Sequence, residues 1–143
     1  MAASIKVFID ANIWYSAANK STGHARHVIS GILPNLSIVT SQRALDDARK
    51  YLERDVPNRL NVLDVLIKSL DKKLQILNEP SNKISLKAQK SVRDLNDAVI
   101  LAGAIECEAD YLVTWNTKDF IQDKIIDLQI ITPAELVKIV MGE

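Results

Sequence analysis

Short apolar segments alternate along the chain with longer segments in which apolar residues recur at helical spacing. The segment 5–9 (IKVFI) is rich in β-branched and aromatic side chains, which favours a strand. Further strands are predicted at 36–40, 74–77, 111–114 and 128–131. Helices are predicted around residues 24–33, 41–54, 57–71, 84–91, 97–108 and 133–141. Strands separated by helices predict an α/β fold whose mostly parallel sheet is covered by helices on both faces.

Composition adds limits on the kind of protein. A chain of 143 residues with 48% apolar side chains suits one domain, expected over residues 1–143. Its 18 basic and 18 acidic side chains cancel, which excludes a nucleic-acid binder that relies on overall positive charge. A single cysteine, Cys107, excludes an internal disulfide, and the longest apolar run, 98–105, is too short to cross a membrane. We therefore expect a cytoplasmic protein.

Acidic residues stand where ligands of parallel sheets gather, beyond the carboxyl ends of the strands. Asp10 follows the first strand directly, and Asp97 precedes the wholly apolar helical segment 98–105. A helix N-terminus favours a negative charge at Asp97. Capping is the alternative explanation, since Asp10 suits the N-cap of a following helix and Asp94 that of the apolar one.

Two more acids, Asp46 and Asp47, lie on the helix predicted at 41–54. At about 100° per residue, Asp46 points away from the apolar face, whereas Asp47 lies at the edge of that face. Asp47 is therefore the one expected to look into a cleft. The alternative is that both acids are ordinary surface residues.

Thr114 ends the strand predicted at 111–114, and Asn116 and Asp119 stand in the loop that leaves the sheet there. Turn chemistry alone explains such residues in a loop. Together with the acids after the other strands, however, they form a convergent polar edge, and converging carboxylates repel unless a cation lies among them. Oxygen ligands without a Cys or His set select Mg²⁺ or Mn²⁺, which most often serves phosphoryl chemistry.

These segments resemble the PIN-domain family of metal-dependent ribonucleases over nearly the whole chain. The segment VFIDANIWYSA resembles the family's first strand with its acid (Asp10) and characteristic Asn (Asn12), and VTSQRALDDARKYL resembles the second motif, placing Asp47. The stretch RDLNDAVILAGAIECEADYLVTWNTKDF resembles the third acid, Asp97, with its apolar helix, strand and polar loop. The terminal LQIITPAELVKIV resembles the closing strand and helix.

The resemblance implies a three-layer α/β/α sandwich and a Mg²⁺- or Mn²⁺-dependent endoribonuclease. Asp10 and Asp97 would bind the metal, Asp47 would help, and Asn116 would complete the catalytic set. Asn12, Thr114 and Asp119 would orient ligands or waters. Small members of the family are commonly homodimeric VapC-like toxins of type II toxin–antitoxin pairs, neutralised by an antitoxin protein; others stand alone.

Two residues depart from the family pattern, and two other functions remain as alternatives. Asp47 stands where the family usually has Glu, and Asn116 where many members have a fourth Asp. A catalytically silent PIN-fold module that binds RNA or protein is one alternative. A phosphatase of the haloacid-dehalogenase type is another, with Asp10 as nucleophile and Thr40 contacting phosphate. Its usual second Asp is here Asn12, which cannot transfer a proton.

A neutral protein needs a local basic patch to hold RNA. Lys83, Lys87 and Lys90 recur at helical spacing just before the third acid, and Arg93 follows them. These four residues are the predicted RNA contacts. The alternative is an ordinary solvated helix face.

Overall fold

A computed structural model describes residues 4–30, 33–78, 95–120 and 128–142 of the chain. Five strands form one parallel sheet in the order β3-β2-β1-β4-β5. They are β1 (Ile5–Ile9), β2 (Leu36–Ser41), β3 (Leu74–Leu77), β4 (Tyr111–Val113) and β5 (Gln129–Ile131).

The helices of the described residues lie on both faces of this sheet. They are α1 (Ala11–Asn19), α2 (His24–Ile29), α3 (Gln42–Asp55), α4 (Leu60–Leu70), α5 (Leu95–Glu106) and α6 (Pro133–Met141). Short 3₁₀ turns at Pro57–Arg59, Asp71–Lys73 and Thr117–Asp119 connect them to their neighbours. None of the helices in these ranges has the length and apolar character that spanning a bilayer requires.

The alternating side chains of β1 separate two apolar cores. Val7 and Ile9 pack on one face with α1–α4 and α6, whereas Phe8 packs on the other face with α5. On the α5 side, a Cβ at Gly103 would lie 3.1 Å from the Phe8 ring, so the glycine allows the helix to approach the strand closely. The protein is a three-layer α/β/α sandwich, as the sequence predicts.

The strand order contains a reversal that positions the site. From β1 the chain moves outward through β2 to β3, then returns to the other side of β1 to form β4 and β5. Because right-handed crossovers in opposite directions place their helices on opposite faces, α5 lies on the face opposite α1–α4. The carboxyl ends of β1 and β4 flank this topological switch point, where open α/β sheets bind their ligands.

The predicted strands agree with the structure to within one residue at each end, but several helices differ. The helix predicted at 24–33 ends at Ile29, with Ser30 as its C-cap. The segment 57–71 divides into a 3₁₀ turn and α4, which ends before Asp71, a residue with φ of 46°. The helix predicted at 84–91 lies outside the described residues.

Two helix starts show how local sequence sets the elements. Helix α1 is not among the helices predicted from sequence, yet Asp10 caps it, and its inward face carries Ile13, Trp14 and Ala17. Helix α6 begins with a capping box, in which the Thr132 hydroxyl accepts from the Glu135 amide and the Glu135 carboxylate accepts from the Thr132 amide.

Candidate active site

Asp10 occupies the carboxyl end of β1, at the switch point. Only 8% of the residue is exposed. One carboxylate oxygen accepts a hydrogen bond from the backbone N–H of Ala11 (2.6 Å), and the other accepts from the Thr114 hydroxyl (2.8 Å). The carboxylate therefore caps α1, as the alternative explanation held, and also joins the end of β1 to the end of β4.

The Thr114 hydroxyl is the centre of a small polar network. It is fully buried, donates to Asp10, and accepts from the Asn12 side-chain amide (3.0 Å) and the Asn116 backbone N–H (3.2 Å). The Asn12 side-chain oxygen in turn accepts from the Trp115 backbone N–H (3.2 Å). The loops after β1 and β4 are thus fastened to each other around the Asp10 carboxylate.

The pKa of Asp10 is raised above its ordinary value. Burial is the main cause, because it removes water from the charged form, and the negative charges of Asp47 and Asp119 raise the pKa further. The hydrogen bonds from Thr114 and Ala11 act in the opposite direction. Asp10 is therefore a buried acid whose charge is opposed by neighbouring acids, an arrangement that a cation would stabilise.

Helix α3 presents its two acids differently, as the helical spacing predicts. Asp46 is exposed and accepts from the Gln42 side chain (2.9 Å). Asp47 is half-buried and accepts from the Asn96 side-chain amide (3.1 Å). Both nevertheless border one open cleft of about 670 Å³, whose described lining residues are Gln42, Arg43, Asp46, Asp47 and Asn78.

Asp97 lies in the first turn of α5 and is half-buried. Its neighbour Asn96 connects this turn to α3, because it donates to Asp47 and accepts from the Arg43 guanidinium (3.3 Å). Helix α5 runs back along the sheet, so its N-terminus lies at the carboxyl edge of the strands. The network therefore brings the start of α5, with Asp97, to the same edge as Asp47.

Asn116 and Asp119 occupy the loop after β4. Asn116 is exposed and precedes the 3₁₀ turn Thr117–Asp119, and Asp119 is half-buried. The negative charge of Asp119 helps to raise the pKa of Asp10. A carboxylate from this loop therefore contributes to the electrostatics of the site.

Comparison with known proteins gives the family. A family model described as the PIN domain matches residues 6–118. The chain belongs to the PIN-domain family. A comparison with curated protein sequences finds no match.

Solved structures show the same fold in toxins of toxin–antitoxin systems. VapBC2 from Rickettsia felis, bound to a DNA fragment from its promoter, gives a TM-score of 0.63 at 19% identity, covering 90% of this chain and 98% of that one. VapBC-1 from nontypeable Haemophilus influenzae gives 0.61 at 20% identity, covering 91% and 99%. VapC20 from Mycobacterium tuberculosis, a toxin that cleaves the sarcin–ricin loop, gives 0.56 at 16% identity, covering 74% and 86%.

In this PIN-domain protein, the predicted metal ligands do not form a compact cluster. Among the described residues, no three His, Cys, Asp or Glu side chains are placed to hold one metal ion together. Asp10 accepts a hydrogen bond from Thr114, and Asp47 accepts one from Asn96. The predicted RNA contacts Lys83, Lys87, Lys90 and Arg93 lie outside the described residues, as does the alternative cap Asp94.

The sequence does not predict the roles of three side chains at this edge: it does not single out Arg43 and Asn96, and it assigns Thr40 a different role. Arg43 and Asn96 are missed, since a polar pair separated by 53 positions gives no local signal. Thr40 is assigned to phosphate in the phosphatase hypothesis, but it is fully buried, donates to the Ile9 carbonyl (2.8 Å) and accepts from the Trp14 indole (2.9 Å). It cannot reach a substrate, and the phosphatase hypothesis is wrong on this point.

Proposed function

We propose that this PIN-domain protein is a Mg²⁺- or Mn²⁺-dependent endoribonuclease and the toxin of a toxin–antitoxin pair. The proposal rests mainly on the burial of the Asp10 carboxylate and on its raised pKa. A carboxylate buried at the switch point, with its pKa raised by burial and by Asp47 and Asp119, costs the folded protein free energy. A functional cation at that position would offset the cost.

The donor set suits Mg²⁺ in particular. Mg²⁺ commonly takes only one or two protein carboxylates and keeps several waters, so a site without three clustered acids remains compatible with it. We assign Asp10 and Asp97 as direct ligands and Asp47 as a ligand or a partner of a bound water. When bound, such an ion would neutralise the charge that develops during phosphodiester hydrolysis.

The remaining residues of the site act by orienting these acids. Thr114 fixes one Asp10 oxygen, and Asn12 holds the Thr114 hydroxyl so that its proton points at the carboxylate. Asn96 holds Asp47 at the cleft. We assign Asn116 to the catalytic set and Asp119 to orienting a ligand or water, because both belong to the loop that bonds to Thr114.

RNA and an antitoxin protein are the proposed partners. VapC20 is an RNA-cleaving toxin, and VapBC2 and VapBC-1 are toxin–antitoxin complexes of the same fold. We extend this to the present chain as a cytoplasmic homodimer that an antitoxin neutralises. Lys83, Lys87, Lys90 and Arg93 remain the proposed phosphate contacts.

The test is incubation of the purified chain with structured and unstructured RNAs, with Mg²⁺ or Mn²⁺ and with EDTA. Cleavage that needs the metal and disappears in Asp10→Asn supports the proposal. Binding of Mn²⁺ without cleavage of any RNA would instead favour the silent binding module. That alternative is compatible with the separation of the acids and with the presence of Asp47 and Asn116 where the family usually has Glu and often has Asp.

A further inference from the structure

Trp115 is a large aromatic side chain displayed at the candidate active site. It lies in the loop after β4, between Thr114 and Asn116, and 41% of it is exposed. The other exposed large apolar side chains of the described residues lie on α3, α4, β3 and α6, namely Tyr51, Val65, Ile76, Ile139 and Met141. Within the described residues, Trp115 is the one at the carboxyl edge of β1 and β4.

The ring is held in place although it is not buried. Its indole N–H donates to the Ser16 hydroxyl (2.9 Å), and its backbone N–H donates to the Asn12 side chain (3.2 Å). The only polar atom of the ring is therefore used by the protein, and the surface left to solvent is aromatic carbon. Holding a ring in this way means that little side-chain freedom is lost when something binds to it.

A short chain of hydrogen bonds connects the backbone of Trp115 to Asp10. Asn12 bonds both to the Trp115 backbone and to the Thr114 hydroxyl, and that hydroxyl bonds to Asp10. An RNA chain whose phosphate is held near Asp10 through a bound cation would therefore lie beside the loop that carries Trp115. The protein has no net charge and the site is acidic, so contacts that are not ionic would add to the attraction that local cations supply for a polyanion.

We propose that Trp115 is a stacking platform for an unpaired base next to the phosphate held at the Asp10 site. This inference rests on the proposed ribonuclease function and specifies its substrate as single-stranded RNA or an unpaired loop. Bases inside a duplex are already stacked and cannot lie on the ring, whereas splayed bases can. Stacking on an aromatic ring tolerates every base, so the platform selects for unpaired structure more than for sequence.

Tryptophan fluorescence tests this directly, because the chain has only two tryptophans and the other, Trp14, is fully buried. We would titrate the full chain, in Mg²⁺, with a single-stranded RNA octamer whose phosphorothioate linkages resist hydrolysis. The expected result is quenching of the exposed Trp115, and no quenching by the same octamer in a duplex.

Trp115→Ala is expected to bind the single strand about 5- to 150-fold more weakly, the range that corresponds to about 1–3 kcal/mol for one stacked base. Trp115→Phe keeps a stacking ring and should retain most of the affinity. Tyr51→Ala, which removes another exposed aromatic ring from α3, is the matched control and should bind as the wild type does. Thermal melting of each variant shows whether it is folded.

The outcomes separate this inference from the proposed function. If the wild type cleaves RNA, we expect Trp115→Ala to raise KM and leave kcat nearly unchanged. Cleavage with equal KM in both proteins, without quenching, overturns the inference and leaves the nuclease function standing. Quenching without cleavage supports the platform and counts against the nuclease. Unchanged RNA binding together with an altered oligomeric state would assign the ring to a protein interface and overturn the inference.

Discussion

At the scale of a single residue, Asp10 is subject to two opposing influences on its charge. It caps α1 and accepts from Thr114, which favours its charged form, yet burial and two neighbouring acids disfavour that form more strongly. A residue in this state is poorly suited to a purely structural role, since an uncharged cap would be less costly in the same place. Substitutions at Asp10 should therefore separate structure from function.

Asp10→Asn is expected to abolish metal-dependent cleavage and to leave the melting temperature in metal-free buffer unchanged or a few degrees higher. The amide keeps an acceptor for Ala11 and can donate to the Thr114 oxygen. Because the folded-state pKa of Asp10 is raised, its stabilising contribution is present below the ordinary carboxyl pKa and is lost as the pH rises through the raised value. The advantage of the variant in melting temperature should consequently grow from pH 4 to pH 7.

Circular-dichroism melts in EDTA over that pH range would measure the difference. A variant that melts well below the wild type and still cleaves RNA would show that Asp10 is a structural cap only. Adding Mg²⁺ should stabilise the wild type and have little effect on Asp10→Asn, because a ligand stabilises only the fold that binds it.

Thr114→Val should lower metal affinity and activity about 10- to 100-fold, the usual cost of removing a group that orients a metal ligand. The valine has nearly the same shape, but it leaves one oxygen of Asp10 without its donor, at a cost of about 1–3 kcal/mol in folding free energy. Thr114→Ser retains the hydroxyl and should recover most of both properties. Calorimetric titration with Mn²⁺ would compare the three proteins; equal affinities would exclude an orienting role for Thr114.

At the scale of the secondary-structure element, the orientation of helix α3 determines which of its two adjacent acids contributes to activity. Asp47→Ala should lower cleavage, because Asp47 is half-buried and held by Asn96 at the start of α5. Asp46→Ala should be nearly neutral, since Asp46 is exposed and accepts from Gln42 one turn earlier on the same helix. Initial cleavage rates of the two variants would decide, each serving as the control for the other. Equal losses of cleavage rate would mean that both acids contribute through the cleft that they border, whichever face of the helix they occupy.

The sequence predicts elements well wherever the signal is local. β1 and β3 are predicted with their observed bounds, and the α6 capping box follows directly from Thr132 and Glu135. Helix α1 is missed because it is only nine residues long and directly follows a strand, so its apolar spacing merges with that of β1. Contacts between distant positions, such as that of Arg43 with Asn96, could not be predicted, because they depend on how α3 and α5 meet.

At the scale of the whole molecule, the topology accounts for the position of the site. Reversal of the strand order beside β1 places Asp10 and Thr114 on adjacent strand ends, although they are 104 positions apart in sequence. The sequence could predict that both follow strands, but not that β1 and β4 are neighbours. That adjacency comes from burying both faces of the sheet, which no single segment determines.

The overall charge of the molecule leads to the last prediction. With 18 basic and 18 acidic side chains, the protein gains no general attraction for RNA, so a local group of cations has to supply it. We expect Lys83, Lys87 and Lys90 to be part of that group, because they precede the third acid at helical spacing. Changing all three to Gln should weaken RNA binding and flatten its salt dependence, by about 0.7 in log–log slope for each phosphate of single-stranded RNA that is no longer neutralised.

The matched control is the change of Lys68, Lys72 and Lys73 to Gln. These lysines are exposed near the amino end of β3, away from the carboxyl edge of the sheet, and their removal alters the net charge by the same amount. If overall charge governed binding, both triple variants would lose affinity equally. If local contacts govern it, only the first should lose affinity, while Mn²⁺ binding at the acids stays nearly unchanged in both. An identical salt slope in the first variant and the wild type, measured at constant Mg²⁺, would place the RNA path elsewhere on the surface, with Arg26, Lys118 and Lys124 the next cations to change.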